Sequence, residues 1–436
     1  MKCDYRNLFT IILSLQLLFL ASSESAAQSE RNNRYIAEKT DMAKVGVLGK
    51  VITLEVVRSE AILSNAALLQ LRRKADAARG QWIQAGLKEN PLIGYAADEL
   101  SRGNSGKHGV QISQTIINKH KLTARQIAES KEFLTTQQRC AVQEQKVLND
   151  AMAAAYRTAI AERKYVLLTE LLKNSEEAYQ VSVRLADGKQ ISRTEFLALK
   201  IQAKRTKLVL DDALIAYKSS SKILALLLGR LPEELLSIAD DVTELPLEVQ
   251  PESALAGMLQ SSPQVVLSQL EIEAAKSQQE KEYAETKRDY AANISLLHNT
   301  ETDNAELSFG VAVPLRIYNK NQGNIQRAKM ETAAAIHNAE RLRTLLSIRF
   351  QEVYSDYQSA FQRVKTYKNN LLSESQESFD LVLTGYKHGV VNSTELLNTQ
   401  RTLISVRVEY LDCVDKFWEA YVLLQGSLLT GGLELP

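Results

Sequence analysis

Proline sets the first limit on this chain. Its seven prolines fall at positions 91, 232, 246, 251, 263, 314 and 436, so residues 92–231 and 315–435 contain none. A proline ring removes an amide donor and clashes with the preceding turn, which ends or kinks a helix. Two very long helical tracts are therefore allowed, and the cluster at 232–263 predicts a linker between two halves.

The halves resemble each other. A shift of 201 places Tyr156 on Tyr357, Ile160 on Phe361, Leu171 on Leu372, Glu176 on Glu377 and Gly188 on Gly389. Thr194-Glu195-Phe196-Leu197 then meets Thr394-Glu395-Leu396-Leu397 with a one-residue slip. Single matches of this kind arise by chance, but an ordered run at nearly constant offset marks a duplication.

Each half reads in the same order. A helix comes first, over 53–88 and again over 252–288, with Thr53 as N-cap of the first. Two short strands follow, then a long helix over about 117–187 and 322–387. A return helix covers about 192–229 and 393–430. In the second long helix Phe350, Tyr357, Val364 and Leu371 recur every seven residues, with Tyr354 and Phe361 between them. That alternation of fours and threes is the seam of a coiled coil, interrupted at Lys368. The first half uses smaller side chains, as in Ala151 to Ala155, which lets helices approach more closely. A helix of this length runs on the order of 100 Å at ~1.5 Å per residue. Asp187-Gly188 and His388-Gly389 sit where each long helix must stop and turn back, and they suit a left-handed C-cap.

The strands carry the other signal. Leu307-Ser308-Phe309-Gly310-Val311-Ala312-Val313 alternates apolar with small or polar residues. Val110 to Ser113 and Ala292 to Leu296 do so more briefly, and Leu92 to Glu99 most weakly. Polar turn-rich stretches at 101–106 and 299–304 predict a hairpin loop in each pair. An ordinary amphipathic sheet packed on helices is one reading of these segments. The other is a membrane sheet, since nine to eleven tilted residues span a bilayer and outward apolar alternation is its mark. Four strands cannot close a barrel, and a bilayer tolerates no open edge, so several chains would have to share one. Three would give twelve strands.

The N-terminus predicts export. Lys2 and Arg6 precede an apolar run from Leu8 to Ala21, and small residues follow at Ser25-Ala26-Ala27. This is the order of a cleaved secretory signal over 1–27, and the run is too short for a comfortable membrane span. Cys3 precedes the apolar run, where it cannot serve as a lipid anchor site. A polar segment (28–50), a first repeat (51–230), a linker (231–251), a second repeat (252–431) and a tail (432–436) complete the expected organisation. The formal charge of +1 points to no nucleic acid partner. Cys140 and Cys413 stand among apolar neighbours in helical pattern and read as small core residues rather than a disulfide.

At this point the residues resemble a known family. Val313-Pro314-Leu315-Arg316-Ile317-Tyr318-Asn319-Lys320-Asn321-Gln322-Gly323-Asn324-Ile325 is similar to a strand-to-helix crossing in the TolC-like outer-membrane factors, closest to their cation-efflux, CzcC-like branch. Gly385-Tyr386-Lys387-His388-Gly389 with Ser393 to Gln400 resembles the family's hairpin tip and following helix. Thr53-Leu54-Glu55, and Ala85-Gly86-Leu87 leading to Asn90-Pro91-Leu92, are weaker matches. Together they span about 50–431.

The resemblance implies a mainly α protomer with a small β part. Three copies would form a periplasmic α-barrel and a twelve-stranded barrel in outer-membrane lipid. It implies a homotrimer whose tips (Asp187, Gly188, His388, Gly389) meet a periplasmic adaptor, linked to an inner-membrane pump of the resistance-nodulation-division type. It implies a passive conduit for small solutes, metal cations or drugs. For the closing end it implies Tyr386 and Glu395, with Glu195 as the first-half counterpart of Glu395. For the two glutamates a first-turn helix role, favoured by the dipole, stays open beside a lumen-facing one. The chain departs from the family at Val391, where some members carry a gate arginine, and at Asn398, where a second acid is expected. Lys387 or Arg193 is the available substitute.

No catalytic, cofactor or metal residue is assigned. The five histidines, at 108, 120, 298, 337 and 388, have no partner at metal-ligand spacing, and there is no Walker loop or nucleophile elbow. Two other readings compete with the channel. A periplasmic adaptor would carry one hairpin flanked by glycine-rich β domains, and a secreted coiled-coil scaffold would have no use for four alternating strands.

Overall fold

The computed structural model describes residues 49–100, 106–188 and 191–434. The expected signal at 1–27, the polar segment up to 48 and loop residues 101–105 lie outside these. In chain order the first half contains β1 (Lys50–Ile52), α1 (Leu54–Ser64), α2 (Ala66–Ala85), β2 (Leu92–Asp98), β3 (Lys107–Ile116), α3 (Lys119–Asp187) and α4 (Arg193–Leu227). After β4 (Leu236–Ile238) come α5 (Pro251–Ser261), α6 (Pro263–Ala284), β5 (Tyr290–Asn299), β6 (Asn304–Ala312) and α7 (Gln322–Thr366). A π turn (Tyr367–Leu371), α8 (Leu372–Lys387) and α9 (Ser393–Gln425) close the chain. The sequence order of helix, two strands, long helix and return helix occurs twice.

Three expected helices are broken. The helix at 53–88 divides at Asn65, which takes extended backbone angles. The one at 252–288 divides at Ser262, whose hydroxyl accepts from the Val265 amide while Pro263 opens the next helix. Proline at the first helical position lacks only a hydrogen that would have no partner there, so it starts α6 as readily as it ends α5. The third break is the π turn inside the long second-half helix. There the Leu372 amide donates to the Tyr367 carbonyl, five residues back.

That turn shifts the apolar seam. Phe350, Tyr357 and Val364 are fully buried at seven-residue spacing. Beyond the turn Phe379 and Tyr386 keep the spacing but fall one residue later than the first series predicts. A π turn absorbs one extra residue. The expected seam position Leu371 is therefore replaced, and Lys368 is carried within the turn.

The chain packs as two compact units, each drawing on both repeats. The first contains the described residues 49–65, 146–250 and 351–432. Its core is aromatic: Tyr156 stacks on Trp418 at 3.9 Å, and Phe417 meets Tyr357, Phe361 and Tyr421. The Trp418 indole donates to the Val242 carbonyl at 2.7 Å. Strands β1 and β4 pair in parallel, and Arg230 grips Glu60 through two bonds of 2.6 and 2.7 Å. That grip holds the Glu60 carboxyl below its ordinary range. Cys413 is buried in this unit, Cys140 is half-buried in the other, and both are free thiols.

The second unit contains 66–145 and 251–350, with the end of the chain. It contains a four-stranded antiparallel sheet in the order β2-β3-β5-β6. The register aligns Ile93, Ile112, Ile294 and Phe309 across all four strands, and Tyr95, Val110, Leu296 and Leu307 beside them. The alternate positions hold Gln111, Ser295 and Ser308, and Lys107, Asn299 and Asn304. One face is therefore apolar and the other polar. The apolar face is not covered: Leu307 is 74% exposed, Phe309 70% and Ile93 76%. Among the described residues no helix is long and apolar enough to cross a membrane.

Candidate functional site

The two hairpin tips lie in the first unit, where the sequence placed its candidate residues. The second tip is built around Gly389, which adopts φ +74°. The Val390 amide donates to the Gly385 carbonyl at 2.9 Å and the Gly389 amide to the Tyr386 carbonyl at 3.1 Å. This crossed pair is a Schellman motif, which satisfies the last helical carbonyls and needs a left-handed residue between them. His388 is the C-cap, and its amide donates to the Thr384 carbonyl. Asn392 then caps α9, accepting from the Glu395 amide at 2.9 Å. At the first tip the Gly188 amide closes α3 by donating to the Arg184 carbonyl at 3.1 Å, and Asp187 is the last helical residue.

The two glutamates differ. Glu195 accepts from the Ser192 amide at 3.0 Å while the Ser192 hydroxyl accepts from the Glu195 amide at 3.2 Å. This reciprocal capping box fixes its carboxylate at the start of α4. Glu395 is exposed, and its carboxylate has no partner among the described residues. Ser192-x-x-Glu195 was readable as a capping box in the sequence; its counterpart at 392–395 replaces the serine with asparagine.

Tyr386 is 3% exposed and packs among Leu168, Leu171, Leu199, Phe379, Leu396 and Leu403. Its hydroxyl has no hydrogen-bond partner among the described residues. Burial raises the phenol above its ordinary value, and the negative charge of Glu195 raises it further. Two more unpartnered buried atoms lie on the same hairpin, Ser393 Oγ and Gln400 Oε1. An orphaned buried polar atom costs on the order of 1–3 kcal/mol, so among the described residues this hairpin keeps three buried atoms with unsatisfied bonding capacity.

Lys387 reaches toward α3 and ends 4.0 Å from Glu177. Arg193 lies over the Phe196 ring at 5.3 Å, which engages the other substitute cation. Val391 folds back on the helix end: a Cβ added to Gly385 would meet its Cγ2 at 2.5 Å. Gly385 is thus held by contact and Gly389 by backbone angle, and the sequence pointed only to the second. A cavity of about 730 Å³ nearby is lined by Lys173, Glu177, Lys200, Lys204, Lys207 and Lys387. The spacing of Lys200, Lys204 and Lys207 places them on one face of α4. Among the described residues no group of three or more His, Cys, Asp or Glu could hold a metal.

Comparison with known proteins agrees with this architecture. Residues 258–428 match the family described as outer membrane efflux protein. The cobalt-zinc-cadmium resistance protein CzcC of Cupriavidus metallidurans is 23% identical over 417 residues, covering 95% of this chain and 97% of that protein. The solved structure of CusC is similar at TM-score 0.69 and 17% identity, over 88% of this chain and 94% of that one. The outer membrane channel MtrE of Neisseria gonorrhoeae, solved in its open state, gives TM-score 0.68 and 20% identity, over 87% and 89%. The structural likenesses are of fold. The resemblance to TolC-like factors read from the sequence, and to their CzcC-like branch, is borne out. The proteins matched belong to a transport family, not to an enzyme family.

Proposed function

We propose that this relative of the outer membrane efflux proteins is the channel subunit of a tripartite efflux system, working as a homotrimer. Three copies bring twelve strands into one barrel in the outer membrane, after export by a cleaved signal. The repeats at 51–230 and 252–431 supply matching parts of the wall, and the helical hairpins extend into the periplasm. The tips at Asp187-Gly188 and His388-Gly389 dock a periplasmic adaptor, which joins the channel to a pump of the resistance-nodulation-division type. The cargo is small solutes, metal cations first among them, by analogy with the relative CzcC, a cobalt-zinc-cadmium resistance protein.

One observation carries this reading. The sheet leaves its apolar face exposed and has open edges at β2 and β6. Water penalises the face and lipid penalises the edges. A barrel shared between copies in a bilayer satisfies both, with the polar face lining a wet lumen. At the closing end, Glu395 is the candidate with a free carboxylate. Tyr386 lies buried inside the hairpin, Glu195 is held by its cap, and Lys387 is directed at Glu177.

The test is the mass of the detergent-extracted oligomer together with single-channel recording in a planar bilayer. A trimer with stepwise ion conductance is expected. A water-soluble monomer that does not conduct would overturn the proposal.

A further inference from the structure

We propose that the helix-side rim of the four-stranded sheet is a binding surface for anionic phospholipid headgroups. This rests on the membrane reading of the sheet. The register pairs Ile116 with Tyr290, Leu92 with Ser113 and Ala291 with Ala312, so the strand ends that join the helices gather at one edge of the sheet. Lys88, Lys119, Lys287 and Arg288 lie within about four residues of those ends, Lys320 lies further along the segment that leaves β6, and all five are exposed. None of the five has an ion-pair partner among the described residues.

Neighbouring acids do not neutralise them, because those acids are already taken. Glu285 pairs with Arg125 and Lys121, Asp289 with Lys121, and Glu282 bonds Asn321 and faces Arg327. Glu89 is the exposed carboxylate left at this rim among the described residues. Among the described residues the opposite, hairpin end carries the reverse balance, with Asp98, Glu99, Glu301, Asp303 and Glu306 against Lys107. Charge is therefore sorted along the strands, which a need for solubility alone does not require.

Apolar side chains stand beside the cations. The segment leaving β6 exposes Leu315 by 73%, Ile317 by 64% and Tyr318 by 89%. Aromatic and aliphatic groups next to lysine and arginine are the usual composition of a lipid–water boundary. A cation close to an anionic leaflet shifts partition by a factor of about five, and the effect fades beyond a Debye length of ~10 Å at 0.1 M salt.

The test uses the full chain reconstituted in phosphatidylcholine bilayers containing trace spin-labelled phosphatidylglycerol or spin-labelled phosphatidylcholine. The protein-associated fraction of each label is compared. We expect phosphatidylglycerol to be favoured roughly two- to fivefold, with the preference falling as salt rises. Added glycerophosphate should not compete, which separates a membrane surface from a free phosphate site. Lys88→Gln, Lys119→Gln, Lys287→Gln, Arg288→Gln and Lys320→Gln together should abolish the preference, whereas Lys→Arg at the four lysines should keep it. Equal association of the two lipids with the unmodified chain overturns the proposal, as does an unchanged preference in the glutamine variant. A chain that inserts and conducts without lipid preference defeats this inference alone. One that never enters a bilayer defeats the channel reading with it.

Discussion

Phe309 and Phe417 are the same side chain in opposite settings. Phe417 is fully buried within the aromatic core of the helical unit, packed by residues of its own chain. Phe309 stands on the sheet 70% exposed, in line with Ile93, Ile112 and Ile294. Burying apolar surface is worth about 25 cal/mol per Å², so folding has finished the first surface and left the second waiting for another phase. The helical unit obeys the usual rule of apolar inside. The sheet inverts it, and that inversion is the physical content of the membrane reading.

The comparison is tested first in the core. Phe417→Ala should lower unfolding stability by about 3–5 kcal/mol, and Phe309→Ala by no more than about 0.5 kcal/mol in detergent. Denaturant titrations of both variants check this, and equal losses would erase the contrast. Phe309→Arg sharpens it. It should cost about 2–4 kcal/mol, and only in lipid, so the oligomer recovered from outer membranes falls while the detergent-solubilised protein melts unchanged.

Smaller effects test the ends of the helical unit. Gly389→Val forces a branched residue into φ +74° and should cost about 1–2 kcal/mol, with loss of transport in cells while channels still conduct in bilayers. Ser192→Ala should remove about 1 kcal/mol by opening the capping box; Glu395→Gln should leave thermal stability unchanged and alter cation selectivity in recordings. The smallest effect is acid sensitivity. Arg230 holds the Glu60 carboxyl below its ordinary value of 4.5. The stabilisation is complete above that value and is lost as pH falls through the lowered folded-state value. Melting temperature should therefore drop more steeply below pH 4.5 in the unmodified protein than in Glu60→Gln.

Much of the fold was legible because its signals are periodic. Missing prolines allowed α3 and α7, and alternation located β3, β5 and β6 within a few residues. The π turn was not legible, because an extra residue in a helix carries no residue type of its own. Lys368 on the seam was its only trace. The break at Ser262 was visible in Pro263, which falls inside the single helix expected over 252–288 but starts α6 instead. At the site, glycine chemistry found the second turn correctly. The burial of Tyr386 and the contact between Gly385 and Val391 depend on packing between segments, which a linear pattern does not record.

The most direct test of the account is a cysteine scan from Leu307 to Val311 in a background with Cys140 and Cys413 replaced by serine. Each variant is labelled in membranes with a lipid-soluble or a water-soluble thiol reagent. Positions 307, 309 and 311 should react from lipid and 308 and 310 from water, in opposite phase with a period of two residues. Absence of that alternation, with all five sites shielded from both reagents, would place the sheet in a dry interior and contradict the account.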